Sequence, residues 1–204
     1  MENKKETNPG SGYFYRCSAT EKHLGGNIIG GDPCTYTPVL WNWLKDKYHP
    51  RTILDVGAGE GHAVKYFRSI GIMALGIDGL QENITNSVAP VVLHDITKGK
   101  PNCPPVDMVW CCELVEHVEE KYIEHLLDTL TLGSIIVMTH AGPGQAGMHH
   151  VNCQTDEYWI SKLKERGYVL LKEDTEYSRF IAYPEDPKFK LSWFSTSGLI
   201  FKRN

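Results

Sequence analysis

The sequence predicts an α/β fold: an open, mainly parallel sheet with helices on both faces. Three observations predict it. Between residues 50 and 170, short apolar runs alternate with amphipathic runs of helical period. The first apolar run enters a glycine-rich turn, "ILDVGAGEGH", with Gly57, Gly59 and Gly61 within five positions. Acids then close the next strands, Asp78 in "LGIDG" and Asp95 in "LHDIT". In open parallel sheets, ligands sit beyond the carboxyl ends of the strands.

Taken in order, residues 1–12 are polar and read as disordered, without the apolar core of a signal peptide. Residues 13–35 complete an N-terminal arm over residues 1–36. Its Tyr13, Phe14 and Tyr15 either fold over the cleft as a lid or form an outer hydrophobic strap. "TYTPVLWNWLKDKY" predicts a helix, with Thr37 as cap and Pro38 at the first position. "RTILDVG", "IMALGID" and "PVVLHD" read as strands, separated by the helices "HAVKYFRSI" and "LQENITNS". "VDMVWCC" is a continuous apolar run after Asp107, as a strand buried on both faces would be. The helix "VEEKYIEHLLDTL" and the strand "GSIIVMTH" follow, then the loop "AGPGQAGMHHVNCQ". "TDEYWISKLKERG" is a helix capped by Thr155, stopped by Gly167 and buried at Trp159. "YVLLKEDTEYSRFIAY" and "WFSTSGLIFKR" read as two more strands. Residues 37–204 are expected to form one domain.

The 204 residues suffice for one core. A net charge of −4 disfavours broad binding to nucleic acid or anionic membranes. The basic-aromatic "KFKLSWF" and "FKR" read as a strand with a solvated face. No apolar run approaches the roughly 20 residues of a membrane helix, so the expected compartment is the cytoplasm. The six cysteines show no C-x-x-C or zinc spacing and read as reduced thiols.

The glycine loop lacks G-x-G-x-x-G, because His62 stands at the next position, and no G-K-[ST] follows. Asp78 can accept from both ribose hydroxyls of a nucleoside. Asp95 can accept from an exocyclic adenine amine, and the Ile96 N–H can donate to a ring nitrogen. Together these describe an adenosine-containing ligand without a phosphate-binding lysine.

The segments "ILDVGAGEGH", "GIDG", "LHDIT", "VDMVWCCELVEHV" and the helix ending in "ERGY" resemble class I S-adenosylmethionine-dependent methyltransferases over about residues 50–170. The resemblance implies a Rossmann-like seven-stranded sheet whose last, antiparallel strand is "GLIFKR". It implies S-adenosyl-L-methionine as cofactor, with Asp55, Gly57, Ala58, Gly59 and Gly61 at its methionine end. It further implies Asp78 and Gly79 at the ribose, Asp95 and Ile96 at the adenine, and Cys112 and Glu113 alongside.

"ELVEH" places Glu113, Glu116 and His117 on one face if the segment is helical, and "MHHVN" adds His149 and His150 after the fifth strand. Three readings stay open. His117 or His150, with Glu113 beside them, serves as a general base for the acceptor. Or Glu113, Glu116, His117 and His150 hold one divalent ion, Mg²⁺, Mn²⁺ or Zn²⁺. Or the cluster caps and packs. The spacing resembles the E-x-x-E-H metal site of ubiquinone-pathway O-methyltransferases and small-RNA 2′-O-methyltransferases, yet E-H here also occurs in methyltransferases without metal. His150 is favoured as the residue facing the acceptor.

With no large insertion, the acceptor site must come from the arm, the loop 140–154 and the segment 178–196. A hydroxyl of a small-molecule or saccharide-type acceptor is expected, since "CELV" replaces the D/N-P-P-Y/F motif of many DNA N-methyltransferases. Nucleic acid and membrane are not expected partners. A metal-dependent small-RNA 2′-O-methyltransferase and a non-catalytic S-adenosylmethionine-binding subunit are the alternatives. The sequence sets no oligomeric state.

Overall fold

The computed structural model describes residues 5–7 (main chain), 14–18, 20–186 and 188–204. Tyr13 and most of residues 1–12 lie outside these. Strands β1 (Lys5–Thr7), β2 (Phe14–Cys17) and β3 (Gly25–Ile28) form a small antiparallel sheet in that order. This corrects the reading of residues 5–7 as disordered. They pair with "FYR" in β2, Lys5 opposite Arg16 and Thr7 opposite Phe14, a partner that the polar composition of residues 1–12 could not reveal.

Helix α1 (Pro38–Tyr48) begins at the expected proline, but the Thr37 side chain makes no capping bond. Strand β4 (Thr52–Val56), helix α2 (His62–Ser69), strand β5 (Met73–Asp78), helix α3 (Gln81–Thr85) and strand β6 (Val91–Leu93) follow. Strand β7 (Val106–Cys111) leads to helix α4 (Ile123–Leu130) and strand β8 (Gly133–Met138). After helix α5 (Asp156–Glu165), with the Thr155 hydroxyl accepting from the Tyr158 N–H, comes strand β9 (Tyr168–Leu170). Helices α6 (Lys172–Ile181) and α7 (Trp193–Ser197) precede the last strand, β10 (Leu199–Arg203).

The tail corrects the sequence reading. Only residues 168–170 and 199–203 are strands; 172–181 and 193–197 are helical. Glu173 and Asp174 occupy the first turn of α6, where acids suit the helix dipole. Thr175 and Ser178, three apart, are its buried positions. The small polar residues conceal the helical period that an apolar pattern would have displayed.

The main sheet has the order β6-β5-β4-β7-β8-β10-β9, and β10 runs antiparallel to both neighbours. It is thus the seven-stranded, mainly parallel, Rossmann-like sheet that was expected. Alternating residues face two cores. Leu54, Val56, Val109 and Cys111 pack with Leu126, Leu127, Trp159 and Leu163 from α4 and α5. Ile53, Met108 and Trp110 pack with Leu40, Trp41, Leu44, Val64 and Phe67 from α1 and α2. Strand β7 contributes to both, so its apolar run over residues 108–111 is explained. The strand order reverses between β4 and β7, and their carboxyl ends open the cleft there.

Candidate active site

Beyond the ends of β4, β5, β6 and β7 lies one cleft of about 1300 Å³, large enough for a nucleoside-sized ligand and a second molecule. The glycine loop forms its floor. Gly57, Gly59 and Gly61 have φ of 79°, 54° and 81°, the left-handed region that favours glycine. A Cβ on Gly57 would stand 2.9 Å from Leu114 Cδ1, so the loop also packs closely against the segment after β7.

Asp55 at the end of β4 is 3% exposed. Burial, and then the charge of Asp78, push its carboxyl up to about 8. Asp78 accepts from the N–H groups of Gly59 and Leu80 and from Asn83 Nδ2, all at 2.9 Å. Burial raises its carboxyl and these bonds oppose the rise. Asp78 therefore pins the glycine loop as well as facing the cleft. Asp95 caps a 3-10 turn through Thr97 and lies 3.2 Å from His23 Nε2 of the arm. Burial alone would raise its carboxyl, but Thr97 and His23 hold it below the usual value. Gly79, Ile96, Ala58 and Cys112 all line the same cleft. Cofactor candidates expected at four separate strand ends thus converge on one cavity, except Gly61, which turns away towards Val91 and Ala89.

The ELVEH segment differs from the shared helical face. Val115–His117 is a single 3-10 turn, and Glu113 precedes it at φ 55°, an uncommon conformation for a glutamate. Thr139 at the end of β8 holds it there. The Glu113 N–H donates to the Thr139 hydroxyl at 2.7 Å, and that hydroxyl donates to the Glu113 carboxylate at 2.9 Å. Glu113 aims into the cleft, while Glu116 is fully buried beneath it. Burial raises both carboxyls, Glu113 to about 7 and Glu116 well above its usual range, and the charge of Glu113 adds to the second rise.

The loop after β8 returns over this turn. The N–H groups of Val151 and Asn152 donate to the Glu116 carbonyl at 2.9 and 3.0 Å. That docking brings the His150 ring to 5.0 Å from the His117 ring, edge to face. Ligand atoms of Glu116, His117 and His150 lie within 4.8 Å of one another. The Glu116 carboxyl meets the carboxyl of Glu113 and no other hydrogen-bonding partner, and His117 Nδ1 lacks one. Burial, then the neighbouring His150 and His149, push His117 down to about 4, so it is neutral at neutral pH. His150 Nδ1 is 3.2 Å from the Gln145 carbonyl; donating there leaves Nε2 its lone pair. Three of the four expected ligands are thus gathered, and Glu113 stands beside them. His149, at φ 51°, is not among them.

Sequence reasoning expected the arm at the acceptor site, as a lid or a strap, but named no cleft residue between 16 and 36. Residues 23–36 form the roof of the cleft. Arg16 Nη1 reaches Glu60 Oε1 at 2.7 Å, and the other Glu60 oxygen accepts from the Gly30 N–H at 3.1 Å. Glu60 is the acid inside the glycine loop itself. The flanking "GGNIIGG" was a usable signal, since paired glycines mark close backbone approach.

No family model matches the chain, and no curated protein matches it in sequence. Solved structures do match in fold. Magnesium protoporphyrin IX methyltransferase (ChlM) from Synechocystis PCC 6803, with bound S-adenosylmethionine, superposes at TM-score 0.56 and 13% identity, over 81% of this chain and 76% of that one. The small RNA methyltransferase HEN1 gives TM-score 0.57 and 13% identity, over 81% of this chain and 25% of that one. The [4+2]-cyclase SpnF gives TM-score 0.54 and 16% identity, over 81% and 80%. The chain has the class I fold of the S-adenosylmethionine-dependent methyltransferases among these structures.

Proposed function

We propose that this protein is an S-adenosylmethionine-dependent methyltransferase acting on a hydroxyl of a small-molecule or saccharide-type acceptor, with a divalent ion held at Glu116, His117 and His150. The fold alone does not carry this reading, since a cyclase shares it. The carrying observation is the Glu116 carboxyl, wholly buried with only the Glu113 carboxyl against it, beside two imidazoles. Burial disfavours its charge. A cation compensates it and suits a histidine that burial keeps neutral.

The residues fit both groups. The glycine loop offers bare backbone, and Asp55 offers a negative charge complementary to an ammonium. One carboxylate and two imidazoles are a donor set for Mn²⁺, Mg²⁺ or Zn²⁺. Bound there, the cofactor supplies a sulfonium-activated methyl group and the cation lowers the pKa of a hydroxyl. The chain's own contribution is placement. Asp78 fixes Gly59, Thr139 fixes Glu113, and the 145–152 loop fixes His150 against the same wall. The arm covers the cleft and excludes water.

The cleft lining carries eight carboxyl groups and no lysine or arginine. A phosphodiester chain would meet repulsion there, so a neutral or cationic acceptor fits better. The small-RNA 2′-O-methyltransferase reading rests on the same Glu-His-His cluster and the likeness to HEN1. A single experiment separates these. Metal-depleted protein is supplied with labelled cofactor, Mn²⁺, Mg²⁺ or Zn²⁺, and either hydroxylated small molecules or a short RNA. Label should enter a small acceptor only with metal present, and Glu116→Gln should abolish both the metal effect and calorimetric Mn²⁺ binding. Full activity in chelator would refute the metal, and labelling of RNA alone would replace the acceptor class. Cofactor binding with no turnover on any acceptor would favour the non-catalytic subunit.

A further inference from the structure

Asn27 lies in β3, in the roof of the cleft, and both halves of its carboxamide are orphaned. Neither Nδ2 nor Oδ1 has a hydrogen-bond partner, and both atoms are shielded from solvent. Leaving buried donors and acceptors unmade destabilises the fold. Such an arrangement persists where a ligand completes it. The residue that Asn27 faces indicates which ligand. A Cβ built on Gly59 would lie 3.7 Å from Asn27 Cβ, in ordinary contact. Asn27 therefore sits over the glycine loop, while its neighbour Gly26 sits over His117, 3.5 Å from Cε1 by the same construction.

The arm is held in this position from both sides. Arg16, which pairs with Asn27 across the β2-β3 ladder, bonds to Glu60. The Gly30 N–H donates to the same glutamate. His23 reaches Asp95 at the far end. Nothing else in the roof uses the amide.

We propose that Asn27 is a cofactor contact supplied by the arm, binding the amino-acid end of the cofactor from above Gly59. That end is zwitterionic. Its carboxylate accepts from an amide N–H, and its ammonium donates to an amide carbonyl, so one amino acid satisfies both orphaned halves. Asp55 below and Asn27 above then enclose the same group. The inference rests on the methyltransferase reading of the site, because it presumes that cofactor.

The test uses the whole chain, with S-adenosylhomocysteine and adenosine as probes. Adenosine lacks the amino-acid end. Asn27→Leu, nearly isosteric, and the smaller Asn27→Ser are titrated by calorimetry and melted without ligand. S-adenosylhomocysteine affinity should fall at least about 10-fold in Asn27→Leu, as two hydrogen bonds to charged groups are lost. Adenosine affinity should not change. The ligand-free Tm of Asn27→Leu should equal or exceed wild type, because an orphaned buried amide is removed. Unchanged S-adenosylhomocysteine affinity, or equal loss of both ligands, would overturn the proposal while leaving the cofactor reading intact. A wild-type protein that binds neither ligand would take down both.

Discussion

Asp55 connects burial to binding through a proton. Burial, and then the charge of Asp78, push its carboxyl from the ordinary 3.8 up to about 8, because both disfavour its charge. The folded state thus holds a proton that the unfolded state has lost. The stability attached to that proton is fully present below about pH 4 and is lost as pH rises through about 8. An ammonium placed beside Asp55 reverses the bias and expels the proton. Titration with S-adenosylhomocysteine at pH 7 should therefore release protons, and affinity should rise with pH by up to about 10-fold per unit below 8. Calorimetry in phosphate and in Tris checks this, since the two buffers take up protons with different enthalpies. Identical binding enthalpies in both would mean that Asp55 does not change state. Asp78→Ala carries a second prediction at this scale. It removes three acceptor bonds that hold Gly59, Leu80 and Asn83. We expect a lowered Tm together with an affinity loss of about 1.5–3 kcal/mol, read by thermal melting and calorimetry. Loss of affinity at an unchanged Tm would show that the loop needs no such anchor.

Among the elements, the arm is the one whose role depends on a few contacts. Arg16 and Glu60 are 13% and 7% exposed, so their pairing is shielded from salt and solvent. Arg16→Ala should leave Glu60 uncompensated and loosen β2 and β3 without touching the main sheet. Hydrogen exchange at residues 14–31 should accelerate by 10-fold or more, and S-adenosylhomocysteine should dissociate faster by a similar factor. The double variant with Glu60→Ala should exchange faster still, because Glu60 also accepts from the Gly30 N–H. Unchanged exchange would show that the arm is held by its backbone pairing alone. The elements also show where sequence was readable. β4, β7 and β8 announced themselves through the predominantly apolar runs that two cores require. The run 172–181 did not, because α6 turns Thr175 and Ser178 inward and presents Tyr177 and Phe180 to solvent. Likewise, spacing alone suggested a helical ELVEH face, whereas the positive φ of Glu113 depends on Thr139, 26 residues away. Such long-range causes leave no local pattern. The ligand set Glu116, His117 and His150 was legible as residue types; that Glu116 would lie fully buried against Glu113 was not.

At the scale of the molecule, two cores fix the sheet, the sheet fixes four strand ends, and the arm closes over them. The seven-stranded, mainly parallel sheet and its antiparallel last strand followed from family resemblance and hold in the structure. No helix among the described residues is long and apolar enough to cross a membrane. Metal supplies a prediction for the whole chain. Mn²⁺ binding should raise the Tm, since the ligand set is assembled only in the fold, and Glu116→Gln should erase that shift; an unchanged wild-type Tm at saturating Mn²⁺ would count against the site. The central claim, however, is that the cleft is built for S-adenosylmethionine. Its most direct test is calorimetric titration of the wild-type chain with S-adenosylhomocysteine. The account predicts one site per chain with micromolar or tighter affinity, lost in Gly59→Val, whose branched side chain cannot adopt φ 54° or leave room for the ligand. Absence of binding at millimolar ligand, or full binding by a folded Gly59→Val variant, would contradict it.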